Sequence, residues 1–271
     1  MRRILALALL TFKEGIRDRA LIGITVIAII MLLANILITN LFGHELGKVI
    51  VDLNLSTIAF SGLLLIFFVN INLMSKDIDK RTIYCVLAKP ISRNEYIWGK
   101  YLGLMLLVFV AITLLTIVSA GLALFAKAST PAYYFRDFSW QCYFQAYLYE
   151  LMMFFILNAV VIFFSSITTS SFLTLLFSVA TYITGQTIEE VLQFFKKEAV
   201  QNGISSPLNE TFIGIIQYVF PNFSAFDIKI LASHGKLISA DHTYAIMGYA
   251  IIYTLVLLFF SSLIFSRREF N

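Results

Sequence analysis

Six stretches of this chain are apolar and long enough to cross a bilayer, where a helix needs about 20 residues for the hydrocarbon. They run over Ala20–Phe42, Leu53–Met74, Tyr101–Phe125, Ala146–Ser165, Ser171–Ile188 and Tyr244–Phe265. Pro90, Pro131, Pro207 and Pro221 all fall between them, as uninterrupted helices require. Ahead of the first stretch the pattern is periodic. Leu5, Leu9, Phe12 and Ile16 recur at helical spacing, with Lys13, Glu14, Arg17 and Asp18 on the other side. This predicts an amphipathic helix over residues 1–19, lying in the membrane interface with basic groups turned to anionic head groups. An ordinary polar flank of the first span is the alternative. No small-x-small cleavage site follows Ile4–Leu10, which argues against a signal peptide. The expected fold class is an all-α membrane protein: six transmembrane helices preceded by an amphipathic interfacial N-terminal helix, in a single domain over residues 1–271.

Composition supports the same class. Of 271 residues, 59% are hydrophobic and 13% charged, 26 are Phe, and the mean hydropathy is +0.86. A water-soluble globule of this size could not bury so much apolar surface. Soluble enzymes, nucleic-acid-binding domains and disordered tails are thereby excluded. The net charge of +4 reflects loop Lys and Arg, which orient a membrane chain, so no nucleic-acid partner is expected. With the N-terminus inside, thirteen of the twenty basic residues fall on cytoplasmic segments. Four of the other seven lie in the longest loop, where charge orients least. The expectation is a multi-pass protein of the cell (inner or plasma) membrane with both termini cytoplasmic. That topology separates Cys85 from Cys142, so neither a disulfide nor a zinc site is expected.

Much of the hydrophilic content lies in the cytoplasmic connection 75–100. Mixed charges (Lys76, Asp77, Asp79, Lys80, Arg81, then Lys89, Arg93, Glu95, Lys100) flank an apolar centre, Thr82–Leu87. A polar rim around an apolar patch is the composition of a docking surface. After the break at Lys89-Pro90, Ser92 and Glu95 stand at the spacing of a capping box and predict a helix running straight into the third span.

This segment closely resembles the membrane subunits of the ATP-binding-cassette (ABC) type-2 permease family. The residues that carry the resemblance are Asp79, Arg81, Thr82, Leu87, Pro90, Ile91, Ser92, Arg93, Gly99 and Lys100, where many members have Glu and Gly-Thr in place of Asp79 and Arg81-Thr82. Pro221-Asn222-Phe223 and the C-terminal Phe265–Phe270 are similar to the family as well. The resemblance implies a permease subunit of an ABC transporter, an exporter by expectation. It also implies ATPase partner subunits and a second permease subunit, as homo- or heterodimer. Asp79, Arg81, Thr82, Tyr84, Leu87, Pro90 and Arg93 would then form the ATPase-coupling element.

The stretch 189–242 between spans five and six is expected to be an external loop with short helices. Val191, Leu192, Phe194 and Phe195 against Glu189, Glu190, Lys196 and Lys197 suggest one amphipathic helix. Thr211–Val219 is apolar but too short to cross, and reads as a re-entrant or interfacial piece.

The chain has no Gly-x-x-x-x-Gly-Lys-[Ser/Thr] loop, so ATP hydrolysis by that route belongs to a partner. No catalytic residue, cofactor or metal site is expected. Glu150 is the one ionisable residue clearly inside a span, on the order of 7 Å above the midplane at ~1.5 Å per residue. Two readings stand for it: a residue lining the transport path, or a carboxylate near the head groups or bonded to Tyr147 or Tyr149. Gly99 and Gly103 make a small-x-x-x-small pair that permits close helix approach. A membrane anchor, or a membrane enzyme using Glu150 and external tyrosines, are the rival functions.

Overall fold

The computed structural model describes residues 2–39, 45–74, 92–202 and 219–267. Helix α1 is Arg2–Ile16, α2 Arg19–Thr39, and α3 Leu46–Leu64, which continues through a π-helical turn at Leu65–Asn70 to Met74. Then come α4 (Arg93–Ser129), α5 (Trp140–Ile167), α6 (Ser171–Asn202), the short α7 (Lys229–Ser233) and α8 (Ala240–Arg267). Single 3₁₀ turns occupy Ala132–Phe135 and Ser224–Phe226. Among the described residues, α2 to α6 and α8 are six helices long and apolar enough to cross a membrane.

The expected six spans are therefore present, and the last five are longer helices than the apolar runs. Span two begins at Leu46 rather than Leu53, and span four at Trp140 rather than Ala146. The fifth differs most. The amphipathic piece beginning at Glu189 is no separate helix but the continuation of α6 to Asn202. No Gly or Pro separates Ile188 from Val191, so nothing stops the backbone ladder where the side chains turn polar.

Helix α5 is the most enclosed span and α2 the least. Tyr143, Tyr149, Phe154, Ile156 and Leu157 of α5 are buried against α3, α4, α6 and α8. In a bilayer such packing is held by close contact and interhelical hydrogen bonds rather than by exclusion of water. The structure supplies both. Phe154 lies directly against the backbone of Gly62 in α3. Asn35 of α2 donates to Asn54 Oδ1 at 3.2 Å and to Thr57 Oγ1 at 3.0 Å, both on α3. Asn70, the last residue of the π-helical turn, donates to Asn158 Oδ1 of α5 at 3.1 Å. Ser119 and Tyr143 pair at 2.7 Å, and Thr113 and Tyr147 at 2.6 Å, between α4 and α5.

Candidate functional site

The coupling element of the sequence falls mostly outside the described residues, which end at Met74 and resume at Ser92. That holds for Asp79, Arg81, Thr82, Tyr84, Leu87 and Pro90. Arg93 and the helix that the segment enters are described.

The head of α4 is built as the sequence predicts. Ser92 is the N-cap: its Oγ accepts from Glu95 N at 3.2 Å, and Glu95 Oε2 accepts from Ser92 N at 2.8 Å. This reciprocal pair satisfies orphan amides at the helix start. One residue on, Arg93 Nη1 donates to the main-chain oxygens of Ser266 at 2.9 Å and Phe265 at 3.3 Å. A cation is thus set on the unsatisfied carbonyls that end α8. Tyr96 stacks on Phe265 with ring centroids 5.4 Å apart, and both are buried. Lys100, one turn further, is only 3% exposed.

On another side of the same turns lies α1. A Cβ at Gly99 would stand 2.7 Å from Leu7 Cδ2, and one at Gly103 would stand 2.6 Å from the carbonyl oxygen of Ala8. Gly15 meets Leu107 in the same register. The residue numbers rise together, so α1 runs in the same direction as α4. The small-x-x-x-small pair serves the N-terminal helix of its own chain. The face of α1 that packs is Leu7, Ala8, Thr11 and Gly15, a stripe of mostly small residues, whereas Leu5, Leu9 and Ile16 of the apolar stripe stay exposed. Three helices, α1, α4 and α8, are thereby joined within the first turns of α4.

Glu150 sits on α5, about 5 Å from that helix's midpoint at ~1.5 Å per residue. It is 4% exposed, and neither carboxylate oxygen has a hydrogen-bond partner among the described residues. The tyrosines that the sequence offered it are engaged elsewhere. Tyr147 pairs with Thr113, and Tyr149 lies 3.2 Å from Thr243 Oγ1 and 3.5 Å from His242 Nδ1. The charges that reach Glu150 are Lys229 and Asp227, themselves paired at 3.1 Å. Among the described residues no three His, Cys, Asp or Glu side chains gather as a metal-binding group.

Two further junctions escaped sequence reasoning. Gln145 of α5 donates to Ile238 O at 3.0 Å and accepts from Ile238 N at 3.1 Å, pinning the chain just before α8. Phe223, fully buried, donates its amide to Gly185 O of α6 at 3.0 Å, while Asn222 N donates to Tyr249 Oη of α8 at the same distance. Pro221-Asn222-Phe223 therefore ties α6 to α8. The tripeptide marked the place, but nothing in it named the two partners.

Six apolar helices, with α5 the most enclosed of them and polar contacts tying described helix ends together, define a multi-pass helical membrane protein. The ABC-2 family transporter protein model matches residues 5–270, and the chain belongs to that family. It is the membrane permease of an ABC transporter. No curated protein matches the chain.

Proposed function

We propose that this permease is an exporter subunit driven by separate ATP-binding-cassette ATPase subunits, which dock on the connection 75–91. A second permease subunit completes the translocation path, and both termini lie on the cytoplasmic side. The observation that carries this reading is the junction at the head of α4. Ser92, directly after the connection, is the N-cap of a 37-residue helix. That helix is clamped to α1 through Gly99 and Gly103, and to α8 through Arg93 and Tyr96. Movement imposed on the connection would pass to three helices at once, since a packed core transmits strain rather than absorbing it. At ~1.5 Å per residue α4 carries it over about 55 Å, more than the thickness of the hydrocarbon.

In this reading Tyr84 and Leu87 are the apolar anchors of the docking surface, and Asp79, Arg81 and Arg93 lie at its rim. Truncating an anchor at an interface centre costs about 2 kcal/mol or more, and a rim charge usually less. Tyr84→Ala or Leu87→Ala should release the ATPase or uncouple its hydrolysis, and Lys76→Ala should do neither. Copurification of the ATPase and transport, measured in the same membranes, test this. Wild-type assembly and transport in both anchor variants would make 75–91 a solvated linker. Glu150 belongs to the proposal as a residue reached by the path when the bundle opens, because a buried carboxylate with no hydrogen-bond partner among the described residues needs a reason to be there.

A further inference from the structure

The elbow between α1 and α2 carries three cations that no acidic side chain pairs with among the described residues. Helix α1 ends in a tight turn, with Arg17 N donating to Glu14 O at 3.2 Å and Asp18 N to Gly15 O at 3.1 Å. The first turn of α2 follows at once, with Asp18 Oδ1 accepting from Ala20 N at 2.8 Å. Around this corner Leu10, Lys13, Glu14, Arg17, Asp18 and Arg19 line an open groove of about 650 Å³. Leu10, Lys13, Glu14 and Arg17 share one face of α1 at spacings of three and four. Lys13, Arg17 and Arg19 are exposed, and none has an acidic side chain bonded to it among the described residues. Of the two acids, Asp18 is turned to the α2 backbone and Glu14 has an interaction of its own.

Arg19 also heads a stripe. Ile22, Val26, Ile30 and Leu33 follow it at spacings of three and four, and all four are exposed along the least enclosed span. From Arg19 to Leu33 this stripe extends about 21 Å at ~1.5 Å per residue, the length scale of one leaflet's acyl layer, roughly half of a 30 Å hydrocarbon core, and a little beyond it. A cluster of cations above a continuous apolar track has the shape and polarity of a phospholipid.

We propose that the α1–α2 elbow is a binding site for an anionic phospholipid, its phosphate held by Lys13, Arg17 and Arg19 and an acyl chain laid along Ile22, Val26, Ile30 and Leu33. Charge complementarity selects the headgroup, and the apolar stripe selects a lipid over a free phosphate. A bound lipid would brace the corner that joins α1, and so the head of α4, to the first span.

The test uses the full-length chain, purified and delipidated in detergent, with lipid binding counted by native mass spectrometry. Phosphatidylglycerol and phosphatidylcholine of identical acyl chains are the probes, with glycerol phosphate as the tail-less competitor. Phosphatidylglycerol should bind at least tenfold more tightly than phosphatidylcholine and weaken as salt rises. Each of Lys13→Gln, Arg17→Gln and Arg19→Gln should cost about fivefold, and the triple variant on the order of a hundredfold. Lys127→Gln with Arg136→Gln, outside the elbow, should change nothing. The single variants carry the test if the triple variant does not fold. Equal affinity for the two lipids, wild-type binding by all three single variants, or full displacement by glycerol phosphate would overturn the proposal.

Discussion

Arg93 donates to the main-chain oxygen of Ser266 at 2.9 Å and so closes α8 onto the first turn of α4, across 173 positions of sequence. A hydrogen bond from a charged donor contributes about 1.5–3 kcal/mol, and partial exposure of Arg93 places this one toward the lower end. Arg93→Gln should therefore lower the unfolding free energy by roughly 1–2 kcal/mol. Arg93→Lys should recover only part, because a more strongly hydrated ammonium on a flexible stem would have to take the place of the Nη1 that donates to both carbonyls. Thermal unfolding in detergent measures both. Equal stability of all three proteins would show that the contact contributes nothing.

The docking of α1 should be sensitive to a single methyl group. At Gly103 the obstacle is the backbone oxygen of Ala8, which cannot rotate away as a side-chain end can. Gly103→Ala should destabilise by about 1–3 kcal/mol, the usual range for overpacking. It should also open α1 to limited proteolysis. Gly121→Ala and Gly248→Ala, where a Cβ meets nothing within 4 Å, should leave the isolated chain as stable as before or slightly more so. Identical digestion of the Gly103 and Gly121 variants would contradict this account.

Glu150 separates stability from transport. With no hydrogen-bond partner for either oxygen among the described residues, removing its charge costs the fold little, so Glu150→Gln should assemble normally and Glu150→Leu should unfold no more easily than wild type. If the path reaches it, Glu150→Gln should alter transport or transport-coupled ATPase activity. Normal transport in that variant would leave Glu150 a structural residue.

Orientation is open to a direct experiment. A cysteine introduced by Ser205→Cys should react with a membrane-impermeant thiol reagent added to intact cells, whereas native Cys85 should be protected. Labelling of Cys85 would invert the topology and move the docking connection to the wrong side for an ATPase.

How much of this was readable from the sequence follows the range of the forces involved. The bilayer demands an unbroken apolar run for each crossing, so all six spans stood out without any knowledge of their neighbours. The capping box was equally plain, because Ser92 and Glu95 satisfy each other within four residues. Family membership, too, was legible in residue types, most specifically in the stretch 79–103. The folded chain alone decided which side of each helix meets which neighbour. In α1 both an apolar stripe and a small-residue stripe are written in the sequence. The small one packs, since between membrane helices close backbone approach counts for more than apolarity, which lipid satisfies as well as protein. The same reasoning assigns Gly99 and Gly103 to Leu7, Ala8 and Thr11, gives Arg93 the end of α8 to hold, and leaves Glu150 enclosed while Tyr147 and Tyr149 bond elsewhere. Each of these outcomes depends on partners tens of residues away or more, and local pattern holds no record of a distance that only packing sets.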